Sequence, residues 1–242
     1  IIAQYISGLG ITVFALRCCP QVIPKKSELK WNGGILKEIV NLSSMTCIQQ
    51  SVMNFGILMV QGLVNSFGPV VMAAFAAAVK IDSFAYLPVQ DFGNAYSTFI
   101  AQNYGAGKMD RVRKGYRASL WTVGIWGLLI SFVFICFPQA IADIFFHEPK
   151  AVATAVGYLV IIGFSEAFMC VELTTVGALS GLGRTRLCSI ISITFTSARI
   201  PLAIILGGLI GLSGIWWALS VTSIVKGIIF TCTFLWITRK RG

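Results

Sequence analysis

The 242 residues are 56% hydrophobic and only 12% charged, with a mean hydropathy of +0.82. A soluble domain of this size carries about a quarter charged residues, so water is excluded as the main solvent of this chain. The formal charge of +10 comes from cations set in short runs between apolar stretches, a placement that suits membrane loops rather than nucleic acid.

Residues 1–16 are apolar from the start and do not begin with Met; they lack a charged n-region and a small-residue cleavage site. They read as the end of a preceding transmembrane helix, and the sequence is expected to be a fragment. Residues 17–37 form a linker carrying Arg17, Lys25, Lys26 and Lys30. A spanning helix needs about 20 mostly apolar residues. Six stretches qualify: 38–65, 70–100, 115–138, 151–176, 188–207 and 213–237. The expected fold class is all-α, a polytopic membrane bundle. Its six-helix body covers 38–238, with a tail at 239–242.

The connections alternate in charge. Residues 102–117 hold Lys108, Arg111, Arg113, Lys114 and Arg117, residues 181–187 hold Arg184 and Arg186, and the end holds Arg239, Lys240 and Arg241. Residues 65–69 and 207–213 hold no charge, and 138–150 hold Lys150 beside Asp143, His147 and Glu148. Cytoplasmic loops are the basic ones. A multi-pass protein of the plasma (inner) membrane with a cytoplasmic C-terminus is therefore expected. The seven cysteines show no metal or disulfide spacing and His147 is the single histidine, so no metal site is expected.

Polar residues at membrane depth usually face other helices or a water-filled cavity. In 38–65, Ser43, Thr46, Gln50, Asn54, Gln61 and Asn65 fall in one stripe at 100° per residue. In 70–100, Lys80, Asp82, Ser83, Tyr86, Gln90, Asp91, Asn94, Ser97 and Thr98 share half of the wheel, and Pro88 interrupts the hydrogen-bond ladder. Gln50, Asn54, Tyr86, Gln90 and Asn94 are the expected cavity lining. Asp82, Asp91 and Glu172 are the candidates for holding a coupling ion, Glu172 above all because Thr174 and Thr175 lie close by. Lys80, Arg199 and Lys226 are expected to form internal ion pairs with the carboxylates Asp82, Asp91, Glu166 and Glu172. No G-x-G-D or H-E-x-x-H run supports an intramembrane enzyme.

Several motifs occur in a fixed order: Ala73 to Ser83, then Leu87-Pro88, then Ala101 to Arg111 (A-Q-N-Y-G-A-G-K-M-D-R). Gly177 to Thr185 (G-A-L-S-G-L-G-R-T), Arg199 to Ala203 and Gly211 to Trp216 follow. Together they resemble the multidrug and toxic compound extrusion family over almost the whole chain. The resemblance implies twelve helices in two six-helix lobes around a central cavity, with this chain as the C-terminal lobe and an N-terminal lobe as its missing partner. It implies a secondary antiporter that exports amphipathic or cationic small molecules by alternating access, using Na⁺ or H⁺ and no other cofactor, in contact with membrane lipid. Two departures stand out. Ile48-Gln49-Gln50-Ser51 lacks the glutamate that some members carry there, and Ser180 replaces the usual Arg. The alternatives are a lipid-linked oligosaccharide flippase of the same superfamily, for which Lys80, Arg199 and Lys226 would bind pyrophosphate, and an inactive half-transporter.

Overall fold

A computed structural model describes residues 2–18 and 32–239, apart from the side chains of Glu38, Leu42 and Thr46. Lys25, Lys26, Lys30, Lys240 and Arg241, which carry part of the expected loop charge, lie outside the described residues. The elements are α1 (Ile2–Cys18), α2 (Gly33–Asn65), α3 (Pro69–Gly105), α4 (Met109–Cys136), α5 (Pro138–Phe145), α6 (Pro149–Gly181), α7 (Thr185–Ile210) and α8 (Leu212–Arg239). The described residues contain no strand. Six helices, α2, α3, α4, α6, α7 and α8, are long and apolar enough to cross a membrane. They coincide with the six predicted spans and extend past most of their ends. The short helix α5 is new. The stretch 138–150 was expected to be a loop, and Pro138 at the first helical position starts two further turns there.

The chain divides into two compact units, Ile1–Asn41 and Leu42–Gly242. In the first, α1 has no buried residue. In the second, α6 is the axis. More than half of its most apolar stretch is buried, a larger share than in any other candidate span. α3, α4 and α8 pack around it, and α7 packs on α8. Without a hydrophobic force between helices in lipid, such contacts depend on small residues that let backbones approach. Gly177 on α6 lies so close to Gly93 on α3 that a Cβ would strike the Gly93 carbonyl. A Cβ on Gly127 (α4) would stand 2.7 Å from the Ala167 Cα of α6. One on Gly227 (α8) would stand 2.7 Å from the Phe168 carbonyl. The face of α4 carrying Trp121, Ile125, Leu128 and Phe132 is exposed, as a lipid-facing side should be.

The two basic connections are built alike. Gly107 and Gly183 have φ of 70° and 71°, the left-handed region that glycine adopts without steric cost. After each, the next amide reaches back over the helix end. Lys108 N donates to Asn103 O at 2.9 Å, and Arg184 N donates to Leu179 O at 2.9 Å. This six-to-one closure satisfies carbonyls that the helix leaves free. It explains why G-A-G-K and G-L-G-R recur at equivalent turns. At the same side of the bundle, Arg113 donates to Thr238 O at 2.7 Å, placing a cation on the carbonyl end of α8.

Of three apolar clusters, the two larger sit at opposite ends of the bundle. One includes Val60, Phe75, Leu159 and Trp216. The other includes Tyr116, Leu179, Phe230 and Phe234, toward the basic ends of the helices. Between them lies a layer of charged and hydroxyl side chains.

Candidate functional site

The layer sits near mid-helix. Glu166 on α6, Arg199 on α7 and Lys226 on α8 each lie close to the centres of their helices. Asp82 on α3 lies about 7 Å along the axis from that helix's middle at 1.5 Å per residue. The Asp82 and Glu166 carboxyl groups are within hydrogen-bonding reach of each other. Glu166 is fully buried, and Asp82 is buried as well. Tyr158 donates its hydroxyl to Asp82 Oδ2 at 3.3 Å. Asp82 Oδ1 and both Glu166 oxygens are buried with no protein donor among the described residues. Ionised carboxylates only accept, so two of them face each other stably only when a proton or a cation lies between them.

The phenol is held by packing. Tyr158 meets Phe75 of α3 edge-on at 5.6 Å and Trp216 of α8 edge-on at 5.2 Å, and Phe75 stacks on Trp216 at 4.8 Å. This aromatic triangle fixes the ring from three helices, so its hydroxyl meets Asp82 rather than another acceptor.

The second group of charges lies less than two turns further along α6, with its cations on α7 and α8. Lys226 Nζ contacts Glu172 Oε1 at 2.8 Å, with both side chains largely buried. Arg199 Nε donates to Thr222 Oγ1 at 2.8 Å, and Nη2 donates to Ser223 Oγ at 3.2 Å. Glu172 is within electrostatic reach of Arg199 too, so one carboxylate serves two cations.

The structure separates side chains that the helical wheel had placed together. Asp82 points into the bundle, whereas Lys80, Gln90, Asp91 and Asn94 are exposed and Tyr86 is half-buried. Asp82 and Asp91 therefore lie on opposite faces of α3. The expected ion pairing divides as well: Lys226 pairs with Glu172, Arg199 binds hydroxyls, and Lys80 makes no ion pair among the described residues. Glu172, singled out in the sequence as the coupling carboxylate, is committed to Lys226. On α2, Gln50 and Asn54 are exposed, and it is Gln49 that turns inward and accepts from Ser189 of α7 at 2.8 Å. In the sequence Glu166 stands out only as an ion-pairing carboxylate, and Tyr158 does not stand out at all. The available signal was spacing: they lie on the same helix about 12 Å apart at 1.5 Å per residue, near the depth of Asp82.

Six spanning helices packed through glycines, with ionisable side chains enclosed at mid-depth, define a multi-pass helical membrane protein with a charged interior. A family profile described as MatE matches residues 43–205, and the chain belongs to that family. Among curated proteins it is 25% identical over 240 residues to a probable multidrug resistance protein NorM of Thermotoga maritima, covering 93% of this chain and 48% of that one. It is 28% identical over 187 residues to a probable multidrug resistance protein YpnP of Bacillus subtilis, covering 77% and 42%. The fold matches the bent form of the Vibrio cholerae MATE transporter VcmN with a TM-score of 0.83 at 19% identity, over 97% of this chain and 54% of that chain. The chain thus spans about half the length of the relatives it matches.

Proposed function

We propose that the chain is the C-terminal lobe of a secondary antiporter that exports amphipathic or cationic compounds by alternating access, with Asp82 and Glu166 holding the coupling Na⁺ or H⁺. The charge balance of the midplane layer carries this reading. Three carboxylates, Asp82, Glu166 and Glu172, stand against two cations, Arg199 and Lys226. With all five ionised, the layer lacks one positive charge. An unmatched charge at that depth costs ~2.5–3.5 kcal/mol even on the lenient insertion scale. One proton or one Na⁺ at the Asp82–Glu166 pair restores neutrality.

A site that is neutral only when loaded ties its closure to cation binding. Loaded, the pair is stable away from water, as it stands between α3 and α6. Unloaded, it favours a conformation that admits water, and the two states differ in affinity for the cation, as coupling requires. The basic helix ends support placing those loops and the C-terminus in the cytoplasm, and an inner-membrane location. The half-length match to the relatives supports an N-terminal lobe as the partner.

Everted vesicles from cells expressing the protein test this with ethidium as the transported cation. An imposed pH or Na⁺ gradient should drive ethidium movement. Asp82→Asn or Glu166→Gln should slow it about tenfold or more, since each removes half of the cation's ligands. Movement that ignores both gradients, or survives both substitutions, rules the reading out.

A further inference from the structure

We propose that Arg199 and Ser223 form a subsite for the acid group, a carboxylate or a phosphate, of an amphiphilic compound bound in this lobe. The inference rests on the exporter reading for the source of the compound, and on separate side chains for its chemistry.

Arg199 is the cation of the layer with no carboxylate in direct contact. Its Nε and Nη2 are taken by the hydroxyls of Thr222 and Ser223, and its Nη1 makes no hydrogen bond among the described residues. Glu172, the carboxylate that would neutralise it, is held by Lys226 at 2.8 Å. Thr222 and Lys226 lie one turn apart on α8, so the two cations share that single carboxylate along one strip of the helix, and the strip's extra positive charge is balanced only at a distance, by the Asp82–Glu166 pair. A guanidinium presents its donors as a rigid fork that matches a carboxylate or phosphate with two parallel bonds, which a neutral or cationic group cannot use.

The two hydroxyls differ in what they still offer. Thr222 has committed its proton to the carbonyls of Ala218 and Leu219, at 2.8 and 2.9 Å. Ser223 accepts from Arg199, and its own proton has no acceptor among the described residues. An arriving oxyanion would therefore meet a free guanidinium edge and a free hydroxyl proton side by side. Arg199 and Ser223 keep some exposed surface, whereas Glu172, Lys226 and Thr222 are buried. The Asp82–Glu166 pair, sealed inside the bundle, takes a bare cation. The Arg199–Ser223 edge takes the acid end of something larger.

The test uses two dyes that differ only in an acid group: rhodamine 110, with a free carboxyl, and its methyl ester rhodamine 123. Equilibrium binding to the purified chain in nanodiscs is read by fluorescence anisotropy without any gradient. The acid should bind about tenfold more tightly than the ester, the value of one charge-assisted contact. Arg199→Gln should erase that preference, and Arg199→Lys should keep part of it, each read as the ratio of acid to ester affinity within the same variant. Ser223→Ala, a small change that leaves the bundle's charges intact, should reduce the preference about threefold. Equal binding of acid and ester, or a preference unchanged in Arg199→Gln and Ser223→Ala, overturns the subsite and leaves the exporter reading standing. Failure of either dye to bind counts against both. Displacement of the acid dye by inorganic phosphate at similar concentration would assign the subsite to free anions and overturn its link to an amphiphile.

Discussion

Glu172 and Lys226 hold each other at 2.8 Å near the middle of the bundle, and what such a pair contributes depends on how it is broken. Removing one partner leaves a buried charge alone, which costs about 3–5 kcal/mol, whereas replacing both with apolar residues of similar size is often neutral. Lys226→Met and Glu172→Leu should each lower the unfolding temperature sharply, and the double variant should recover most of the loss. A thiol-reactive dye reports this once the exposed Cys18, Cys47, Cys136 and Cys232 have been blocked in the folded state, because Cys170 and Cys188 are buried and react only on unfolding. If the singles unfold no earlier than the double variant, the pair is not a unit. Little of this was legible from the chain alone. Glu172 attracts notice because two threonines follow closely and no cation is near in sequence. Its partner arrives only when α8 packs on α6. Glu166 lacks any such local cue, and only the approach of α3 makes it half of a carboxyl pair.

At the scale of helices, the decisive contact is the crossing of α3 over α6. Gly93 and Gly177 let the two backbones touch there, on the basic side of the Asp82–Glu166 pair. Gly177→Val would drive a side chain into the Gly93 carbonyl, and overpacking of this kind costs about 1–3 kcal/mol or more when backbone is the obstacle. The expected result is a lower unfolding temperature together with weaker cation coupling, since the helices that carry Asp82 and Glu166 would be forced apart. A variant with full coupling would show that the crossing does not set the pair's geometry. A second device sits higher on α3. Pro88 removes one backbone donor, and the Trp126 indole of α4 donates to the Ala85 carbonyl beside it at 3.1 Å. Trp126→Phe keeps the ring and loses this bond, for an expected loss of about 1 kcal/mol in unfolding free energy, measurable by chemical denaturation. Hydrophobic length revealed the spans in the sequence because the bilayer imposes it. The helical wheel of α3 was less informative. Its polar half covers two directions, one into the bundle at Asp82 and one away from it at Lys80 and Asp91, and hydropathy does not distinguish them. The helix α5 was missed because eight residues between prolines carry too little periodicity to be told from a loop.

At the scale of the whole molecule, the exposed polar residues become the main question. Gln50 and Asn54 on α2, and Lys80, Gln90, Asp91 and Asn94 on α3, lie exposed within helices that otherwise satisfy the demands of lipid. Charged and amide groups facing hydrocarbon at depth would cost several kcal/mol in sum, whereas facing water or a second lobe they cost little. The ordered motifs made the family legible because the glycine turns and small-residue crossings demand particular residues at fixed places. Which faces meet a second lobe is written in no single helix. The exporter reading places these side chains against an aqueous cavity. Single cysteines at Gln50, Asn54, Lys80, Gln90 and Asn94, introduced into a chain freed of its native cysteines, should react with a membrane-impermeant maleimide. A cysteine at Tyr86, half-buried, should react more slowly, and one at Glu166, sealed in the bundle, should stay unlabelled. Substrate added beforehand should slow the reaction at the α2 and α3 positions and leave a control cysteine at Lys108 unaffected. If these positions are silent while the control reacts, lipid covers the polar faces, the cavity is lost, and with it the structural basis for reading this chain as one wall of an exporter.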